Sequence, residues 1–346
     1  MKKKNLKPFT KVALSLVVFG VLLAAVGYYA FLGQAIDTKL DVRVNAATTY
    51  NDIVGKIRPS LKTDVHRYAF DIYAKCVDLE GQYEVGNFSF APGTSVFRIV
   101  RRVALGKQTP VKLVIGTART LPHLASKISK QIYADTTALL AAMRNEELRK
   151  ELGFEKDSTI ALFIPNTYEV YWDVTPEDLL RRMNKENKRF WNEKRTAKLK
   201  RCGLSKYEVM TLASIVYEET KAKDEMKTVA GVYINRLRAR MRLQADPTVK
   251  YAMGDFALKR LMHKHLKFES PFNTYTNAGL PPAPICIPSI AAIDAVLDFE
   301  EHDYLYFCAR PEFDGRHNFA RNLDEHNENA RKYAEALNKQ GITSAE

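Results

Sequence analysis

The strongest constraint on this chain is a run of 21 uncharged residues, 12–32, close to the N-terminus. At about 1.5 Å per residue, a helix of this length spans the roughly 30 Å hydrocarbon layer of a membrane. Five lysines precede the run, and lysines stay on the cytoplasmic side, so the rest of the chain is expected outside. The sequence therefore predicts a cytoplasmic tail over residues 1–11 and a transmembrane helix over residues 12–33.

A cleaved signal peptide is the alternative interpretation of the same run, with Gly33-Gln34-Ala35 as a cleavage site of small residues. The apolar region of a signal peptide usually has about 7–15 residues, and this run is longer. We therefore expect a retained anchor and a single-pass protein of the bacterial inner (cell) membrane. Its folded part is expected on the periplasmic or extracytoplasmic side.

Composition limits the classes of partner. The chain has 346 residues, of which 46% are hydrophobic and 27% are charged, as is usual for folded domains. The net charge of +13 suits an anionic membrane surface or an acidic extracellular polymer. An exported protein does not meet nucleic acid, so that partner is excluded. Four scattered cysteines show no metal spacing, and both disulfides and free thiols stay open: Cys76, Cys202, Cys286 and Cys308.

Familiar cofactor and catalytic motifs are absent from the sequence. There is no P-loop, dinucleotide fingerprint, nucleophile elbow or HExxH motif. His263 and His265 are two residues apart and point to different faces of a helix, so we expect no metal site there. The sequence predicts no cofactor.

Alternating and helical patterns predict an α+β fold. Residues 37–110 indicate a small mixed domain in which Thr48 or Thr49, and later Thr94 or Ser95, begin helices. A middle segment over 111–204 has helices near 136–151 and 175–197. The last segment covers residues 205–346, and at its start Ser205 and Glu208 form a capping box before a helix. Residues 303–309, "DYLYFCA", are expected to form a buried strand, and "RHNFARN" to be a loop that runs into the last helix.

One carboxylate lies where a core residue belongs. In "LASIVYEETKAKDE", Leu212, Ile215, Val216 and Glu219 share one helix face at a period of 3.6 residues. Glu218 lies beside that face. A desolvated carboxyl group has a raised pKa and can act as a general acid, although Glu219 could instead pair with Arg236 or Arg242.

Polar and aromatic residues that suit a sugar surround this helix in sequence: Asn235, Gln244, Asn273, Thr274 and Tyr275. Asp246 is expected to cap the helix after Pro247, and it is also the best candidate for a second acid. His317 and His326 are compatible with polar loop or helix-cap positions as well as with catalysis. Together the residues suggest cleavage of a glycosidic bond.

Four ordered blocks carry a resemblance to a known family. "LASIVYEET", "AGVYINRLRARMRLQADPTVKYAMG", "SPFNTYTNAGLPPAPI" and "YLYFCARPEFDGRHNFARNLDEHN" resemble the MltG/YceG-like endolytic murein transglycosylases. In this family the helix commonly has E-K-E where this chain has Tyr217-Glu218-Glu219, so the resemblance implies that Glu219 is catalytic. It also implies a LysM-like, glycan-binding subdomain over residues 37–110, and it makes 205–346 the catalytic domain.

The implied reaction needs a single carboxylic acid. Glu219 protonates the oxygen between N-acetylmuramic acid and N-acetylglucosamine, then accepts the proton of the muramoyl C6 hydroxyl, which attacks C1. The implied partners are peptidoglycan glycan strands, with peptidoglycan synthases of the elongation machinery as candidates. The expected substrate-binding residues are Asn235, Gln244, Asp246, Thr248, Asn273, Thr274, Tyr275, His317 and Asn327.

Two other functions stay open at this point. A hydrolytic muramidase would use Asp246 or Glu218 to activate water. A catalytically silent, membrane-anchored scaffold would bind glycan without cutting it. The position of Glu219 on an apolar face argues against the scaffold, because a binding groove has little reason to bury an acid.

Overall fold

The computed structural model describes residues 8–154, 156–258 and 261–339. The fold is α+β as predicted, with helices dominating and short strands in pairs. The chain forms two compact units, the first up to Lys112 with Glu169–Val174 added, the second made of Leu113–Tyr168 and the chain from Thr175 onward. The predicted domain boundaries stay predictions. Most of the predicted cytoplasmic tail, residues 1–7, and the last seven residues of the predicted catalytic domain lie outside the described residues.

The first helix is long and apolar enough to cross a membrane. Its apolar part, Phe9–Leu32, has a mean hydropathy of 2.3, and its side chains are almost all exposed. The chain continues into the first unit without a free linker, because Ala30, Ala35 and Ile36 are buried in the core of that unit. A helix that could span a membrane is thus joined directly to a folded body.

The first unit is a two-stranded antiparallel sheet with helices around it. Leu40 pairs with Phe90 and Val44 with Gly86. Thr49 begins one helix with a capping box, and Ser95 begins another, as the sequence predicted. Its elements are α1 (Pro8–Leu32), β1 (Leu40–Val44), α2 (Tyr50–Ile57), α3 (Asp64–Cys76), α4 (Leu79–Gln82), β2 (Gly86–Phe90) and α5 (Val96–Ala104).

The middle segment is more broken than its apolar pattern predicted. Each of the two expected long helices is two helices, because Asn145 and Asn192 accept hydrogen bonds from backbone N–H groups three residues on and so begin new helices. A short 3₁₀ helix covers Lys156–Leu162. The elements are β3 (Val111–Ile115), α6 (Leu121–Ser129), α7 (Thr136–Arg144), α8 (Glu146–Leu152), β4 (Asn166–Val170), α9 (Pro176–Phe190) and α10 (Glu193–Cys202); β3 pairs with β4.

Three helices of the second unit pack around one hydrophobic core. This core is formed by α11, α12 and α15 and includes Leu212, Val229 and Ile293, all fully buried. The remaining elements are α11 (Lys206–Glu219), α12 (Met226–Arg238), α13 (Asp246–Met253), α14 (His263–Leu266), α15 (Ile290–Leu297), β5 (Tyr306–Ala309), β6 (His317–Ala320) and α16 (Leu323–Lys339).

Two expectations for the end of the chain are wrong. Residues 317–320, expected in a loop, form β6, which pairs antiparallel with β5 through Tyr306–Ala320 and Ala309–His317. Strand β5 is half-buried rather than buried. Four residues are too few to show an alternating pattern, so the pairing depends on the partner strand.

The proline-rich segment after α14 is ordered. The Ser214 hydroxyl accepts the Ile285 N–H at 3.0 Å, which ties the segment to α11. The four cysteines are free thiols, with Cys202 and Cys286 buried and Cys76 exposed. The alternative of disulfide pairing is therefore not seen in this structure.

Candidate active site

Helix α11 delivers Glu219 to a cavity at its C-terminal end. Ser205 begins the helix with the predicted capping box, in which the Glu208 side chain accepts the Ser205 N–H at 2.8 Å. Val209 and Leu212 are fully buried and fix the rotation of the helix. The helix ends at Glu219 itself, because Thr220 is extended. Glu219 is half-buried and lines a cavity of about 290 Å³.

The surroundings of Glu219 hold its proton near neutral pH. Desolvation by burial is the main cause that raises the pKa of this carboxyl group to about 7. The Tyr233 hydroxyl donates a 2.7 Å hydrogen bond to Oε1, which acts in the opposite direction, and the charge of Asp246 raises the pKa further. The carboxyl group can therefore both give and take a proton at neutral pH.

Arg236 does not neutralise Glu219 by a direct ion pair. Its guanidinium donates to the backbone carbonyl of Leu305 at 2.6 Å and to that of Leu243 at 2.7 Å. Across residues 8–154, 156–258 and 261–339, no salt bridge involves Glu219. Arg236 instead joins α12 to the segment before α13 and to the start of β5. The structure therefore favours Glu219 as a free acid over Glu219 as the partner of Arg236 in an ion pair.

Asp246 is a second carboxylate in the same cavity. It was expected to cap α13, but Ala245 is the N-cap and no side chain caps this helix, so that prediction is wrong. Asp246 is the first helical residue, and its Oδ1 accepts the Tyr275 hydroxyl at 2.6 Å. Asp246 is exposed and lies at the edge of the cavity that Glu219 lines. The cavity thus contains one desolvated and one exposed acid.

The loop that carries Gln244 is fixed by buried threonines. Gln244 lines the cavity with a left-handed backbone, φ +50°, and its N–H donates to the Thr274 carbonyl at 3.1 Å. The Thr274 hydroxyl accepts the Ala245 N–H at 3.0 Å and lies 2.9 Å from the Thr248 hydroxyl. Both threonines are fully buried. Their hydrogen bonds hold the loop that carries Gln244 in place. The role of the two threonines as sugar ligands stays a prediction.

Three predicted asparagines lie elsewhere. The Asn273 amide donates to the carbonyls of Leu266 and Phe268. The Asn235 amide donates to the carbonyls of His302 and Tyr304. Asn327 is exposed on α16. None of the three is among the residues that line the Glu219 cavity, which are Tyr233, Arg236, Leu243, Gln244, Asp246, Tyr275, Phe307, Cys308, Ala309 and His317.

A buried carboxylate orients His317 toward the cavity. Glu225 accepts the His317 backbone N–H at 2.8 Å through Oε1, and its Oε2 lies 3.0 Å from the ring Nδ1. The ring also contacts Phe307 edge-on at 5.2 Å between ring centroids. With Nδ1 engaged by Glu225, Nε2 is the ring nitrogen that remains to meet a ligand. Sequence reasoning missed Glu225, because its only local signal is its place just before α12.

Tyr233 was also missed as a site residue. It occupies the apolar side of α12, where a tyrosine usually indicates core packing, and its ring is indeed fully buried against Phe307. Only the Tyr233 hydroxyl reaches the cavity. Its contact with Glu219 joins two different helices, so the spacing of residues in the sequence could not predict it. Glu218 points to another side of α11, where its Oε2 pairs with Arg119 at 2.7 Å.

Within the described parts of the chain, no group of three or more His, Cys, Asp or Glu side chains is arranged to hold a metal ion. The side chains that line the cavity offer carboxyl, hydroxyl, amide, imidazole, guanidinium and thiol groups.

The site lies within a region shared with a known family. The family model described as the YceG-like family matches residues 42–332, which is most of the chain. The chain belongs to the YceG-like family. Glu219 and all the residues that line its cavity fall inside the matched region.

Curated relatives of this YceG-like chain carry one name. An endolytic murein transglycosylase of Bacillus subtilis (strain 168) is 28% identical in an alignment of length 321 that covers 87% of this chain and 87% of the relative. An endolytic murein transglycosylase of Streptococcus pneumoniae (strain D39) is 26% identical over 92% of this chain. The chain spans 64% of the length of that streptococcal relative. A crystal structure of a yceG-like protein from Listeria monocytogenes is 29% identical, with a TM-score of 0.55, and covers 84% of this chain and 99% of its own.

Proposed function

We propose that this protein is an endolytic lytic transglycosylase of peptidoglycan. It cleaves the β-1,4 bond between N-acetylmuramic acid and N-acetylglucosamine inside glycan strands and leaves 1,6-anhydro-muramoyl ends. The relatives named murein transglycosylase support the substrate class. The observation that carries the proposal is the carboxyl group of Glu219, whose pKa is raised to about 7 in an open cavity.

The proton transfers follow from the position of that group. Protonated Glu219 gives its proton to the glycosidic oxygen as the bond to C1 breaks. The muramoyl C6 hydroxyl then attacks C1, and the carboxylate of Glu219 accepts the hydroxyl proton, which restores the acid. The attacking group belongs to the same sugar, so no second base has to activate water. The Tyr233 hydroxyl holds Oε1 at 2.7 Å, which leaves Oε2 to carry the proton.

The other polar groups of the cavity are assigned to substrate binding. Asp246 is exposed, and we assign its carboxyl group to stabilising the positive charge that develops at C1. Tyr275 fixes that carboxylate through its hydroxyl. Gln244 and His317 offer an amide and an imidazole to sugar hydroxyl or acetamido groups.

The N-terminal helix supports action close to the membrane. Because Ala35 and Ile36 are buried directly after α1, the first unit is held next to the membrane surface if α1 spans it. We propose an extracytoplasmic location for both units, with the lysines behind on the cytoplasmic side. We further propose that residues 37–110 bind glycan as a LysM-like subdomain and that peptidoglycan synthases are partners.

A hydrolytic muramidase is the second candidate, and Asp246 is the observation that favours it. Two carboxylates in one cavity are the arrangement that inverting and retaining glycosidases use. In that case Asp246 would activate water, and the product would have a reducing end. The scaffold hypothesis has no comparable support, because it gives no role to a desolvated acid.

Product mass separates the two enzymes. The full chain in detergent is incubated with purified glycan strands, and the new ends are identified by mass spectrometry. A 1,6-anhydro end, lighter than a reducing end by one water, is expected. Reducing ends would show a muramidase, and intact strands would show that the protein does not cut glycan.

Two adjacent glutamates supply the matched variants for that assay. Glu219→Gln keeps the size of the side chain and removes its proton, so cleavage should fall by at least about 10²–10⁴-fold. Glu218→Gln should retain most cleavage, because Glu218 pairs with Arg119 on another side of the helix. If the Glu219 variant stayed active and the Glu218 variant were inactive, the assignment of Glu219 as the catalytic acid would be wrong.

Internal cutting is tested separately from the chemistry. Long strands labelled at one end are sampled over time. Early labelled fragments of intermediate length are expected from an endolytic enzyme. Stepwise release of disaccharides would instead show an enzyme that trims ends.

A further inference from the structure

A second, basic cavity lies against the same helix as Glu219. It has a volume of about 190 Å³ and is formed where α6 faces the C-terminal end of α11. The proposed reaction has no use for it. The side chains that matter here are Arg119, His123, Lys127, Tyr217, Glu218 and Lys221.

Cations outnumber carboxylates in this cavity. Arg119 is paired with Glu218 at 2.7 Å. Lys127 is half-buried, and its ammonium donates to the Thr117 carbonyl at 2.8 Å. Lys221 donates to the Tyr217 carbonyl and lies over that ring at 3.8 Å. In the part of the chain that the structure describes, neither ammonium group forms an ion pair with a carboxylate.

The neighbouring His123 is affected by this excess of positive charge. The pKa of His123 is lowered from its ordinary value, first by burial, then by the charges of Lys127 and Arg119, and last by that of Lys130. A positive field that disfavours a charged imidazole favours an anion in the same place. A half-buried lysine that donates only to carbonyl groups also gains from an anionic partner.

A second small cavity extends the basic surface toward the helix that carries Asp246. It has a volume of about 100 Å³, shares Arg119 and Glu218 with the basic cavity and reaches Pro247 and Lys250 on α13. Pro247 directly follows Asp246, which lines the Glu219 cavity. Glu218 directly precedes Glu219. The basic cavity and the Glu219 cavity thus lie at the C-terminal end of the same helix, α11, on different sides of it.

We propose that this basic cavity binds carboxylate groups of the stem peptide carried by the strand that is being cut. The inference rests on the proposed function, because each N-acetylmuramic acid of peptidoglycan bears its peptide on a lactyl group close to the cleaved bond. A tethered carboxylate reaches the lysines at a high effective concentration, which an unattached anion does not have. Lys127 and Lys221 are the residues assigned to this recognition, and Lys250 extends the basic surface toward Asp246.

The test compares three substrates with the full chain in detergent. The first is strands with intact stem peptides, the second is strands stripped of peptide by an amidase, and the third is strands whose peptide carboxylates have been amidated. KM and kcat are measured for each substrate. Wild-type protein should have a KM about tenfold lower for intact strands than for the other two, with similar kcat.

Lys127→Met tests the residue, because methionine keeps an apolar stem and removes the charge. Its KM for intact strands should rise about threefold, part of the way to the value for stripped strands, because Lys221 remains. Lys130→Met is the matched control, since Lys130 is exposed at the end of the same helix and does not line the cavity. It should keep the wild-type preference for intact strands.

Three results would overturn the inference. Equal KM values of the wild-type protein for intact and stripped strands would show that peptides are not read. A rise of KM for stripped strands in Lys127→Met by the same factor would show that the lysine serves the glycan or another anion. If the wild-type protein cut none of the substrates, the proposed function itself would be wrong, and the inference would fall with it.

Discussion

Replacing Glu219 with glutamine should stabilise the second unit, and only at higher pH. The pKa of Glu219 is about 7 in the folded protein, compared with 4.5 for an ordinary glutamate. Between these values the unfolded chain has released the proton while the folded chain still holds it. Folded stability therefore falls as pH rises from 4.5 to 7. Glutamine does not titrate and avoids this loss.

The size of the effect follows from the two pKa values. A difference of roughly 2.5 pKa units, at about 1.36 kcal/mol each, gives a loss of about 3 kcal/mol at most above pH 7. For a unit of roughly 150–250 residues, 1 kcal/mol moves the melting temperature by about 2–4 °C. The melting temperature of Glu219→Gln should therefore be about 6–12 °C higher than that of the wild-type protein at pH 8. At pH 4.5 the two melting temperatures should be nearly equal.

The assay is thermal unfolding of the full chain in detergent, followed by circular dichroism at both pH values. The variant is compared with the wild-type protein at each pH, so acid effects common to both cancel. Glu218→Gln is the matched control, because it loses the ion pair with Arg119 and should gain no stability at pH 8. An equal difference between Glu219→Gln and the wild-type protein at both pH values would refute the raised pKa.

Two further predictions concern the acid and the anchor. Tyr233→Phe removes the 2.7 Å hydrogen bond that lowers the pKa of Glu219, so the alkaline midpoint of kcat/KM should move from about 7 to a value about one unit higher. Tyr275→Phe, whose hydroxyl donates to Asp246, should leave that midpoint in place, and a midpoint unmoved in Tyr233→Phe would contradict the role of its hydroxyl. Protein isolated from cells should retain α1, because Ala30 and Ala35 are buried in the core of the first unit. N-terminal sequencing that begins after Ala35 would disprove this.

Local signals in the sequence were sufficient for most helices and for the choice of acid. Ser205 with Glu208, Thr49 and Ser95 begin helices where their cap chemistry predicted, because a cap involves only residues three or four apart. The apolar face of α11 singled out Glu219 over Glu218 for the same reason, since a helix repeats every 3.6 residues. Its assignment as the catalytic residue stays a proposal.

Contacts between distant segments decided the rest. The sequence could not predict β6, because the strand exists through its pairing with β5. Asp246 looked like a helix cap, yet its partner is the Tyr275 hydroxyl, 29 residues away in sequence. The pKa of Glu219 depends on burial and on Tyr233, a residue of another helix. Periodicity fixes which face a side chain occupies, whereas desolvation and hydrogen bonding depend on what the tertiary structure packs against that face.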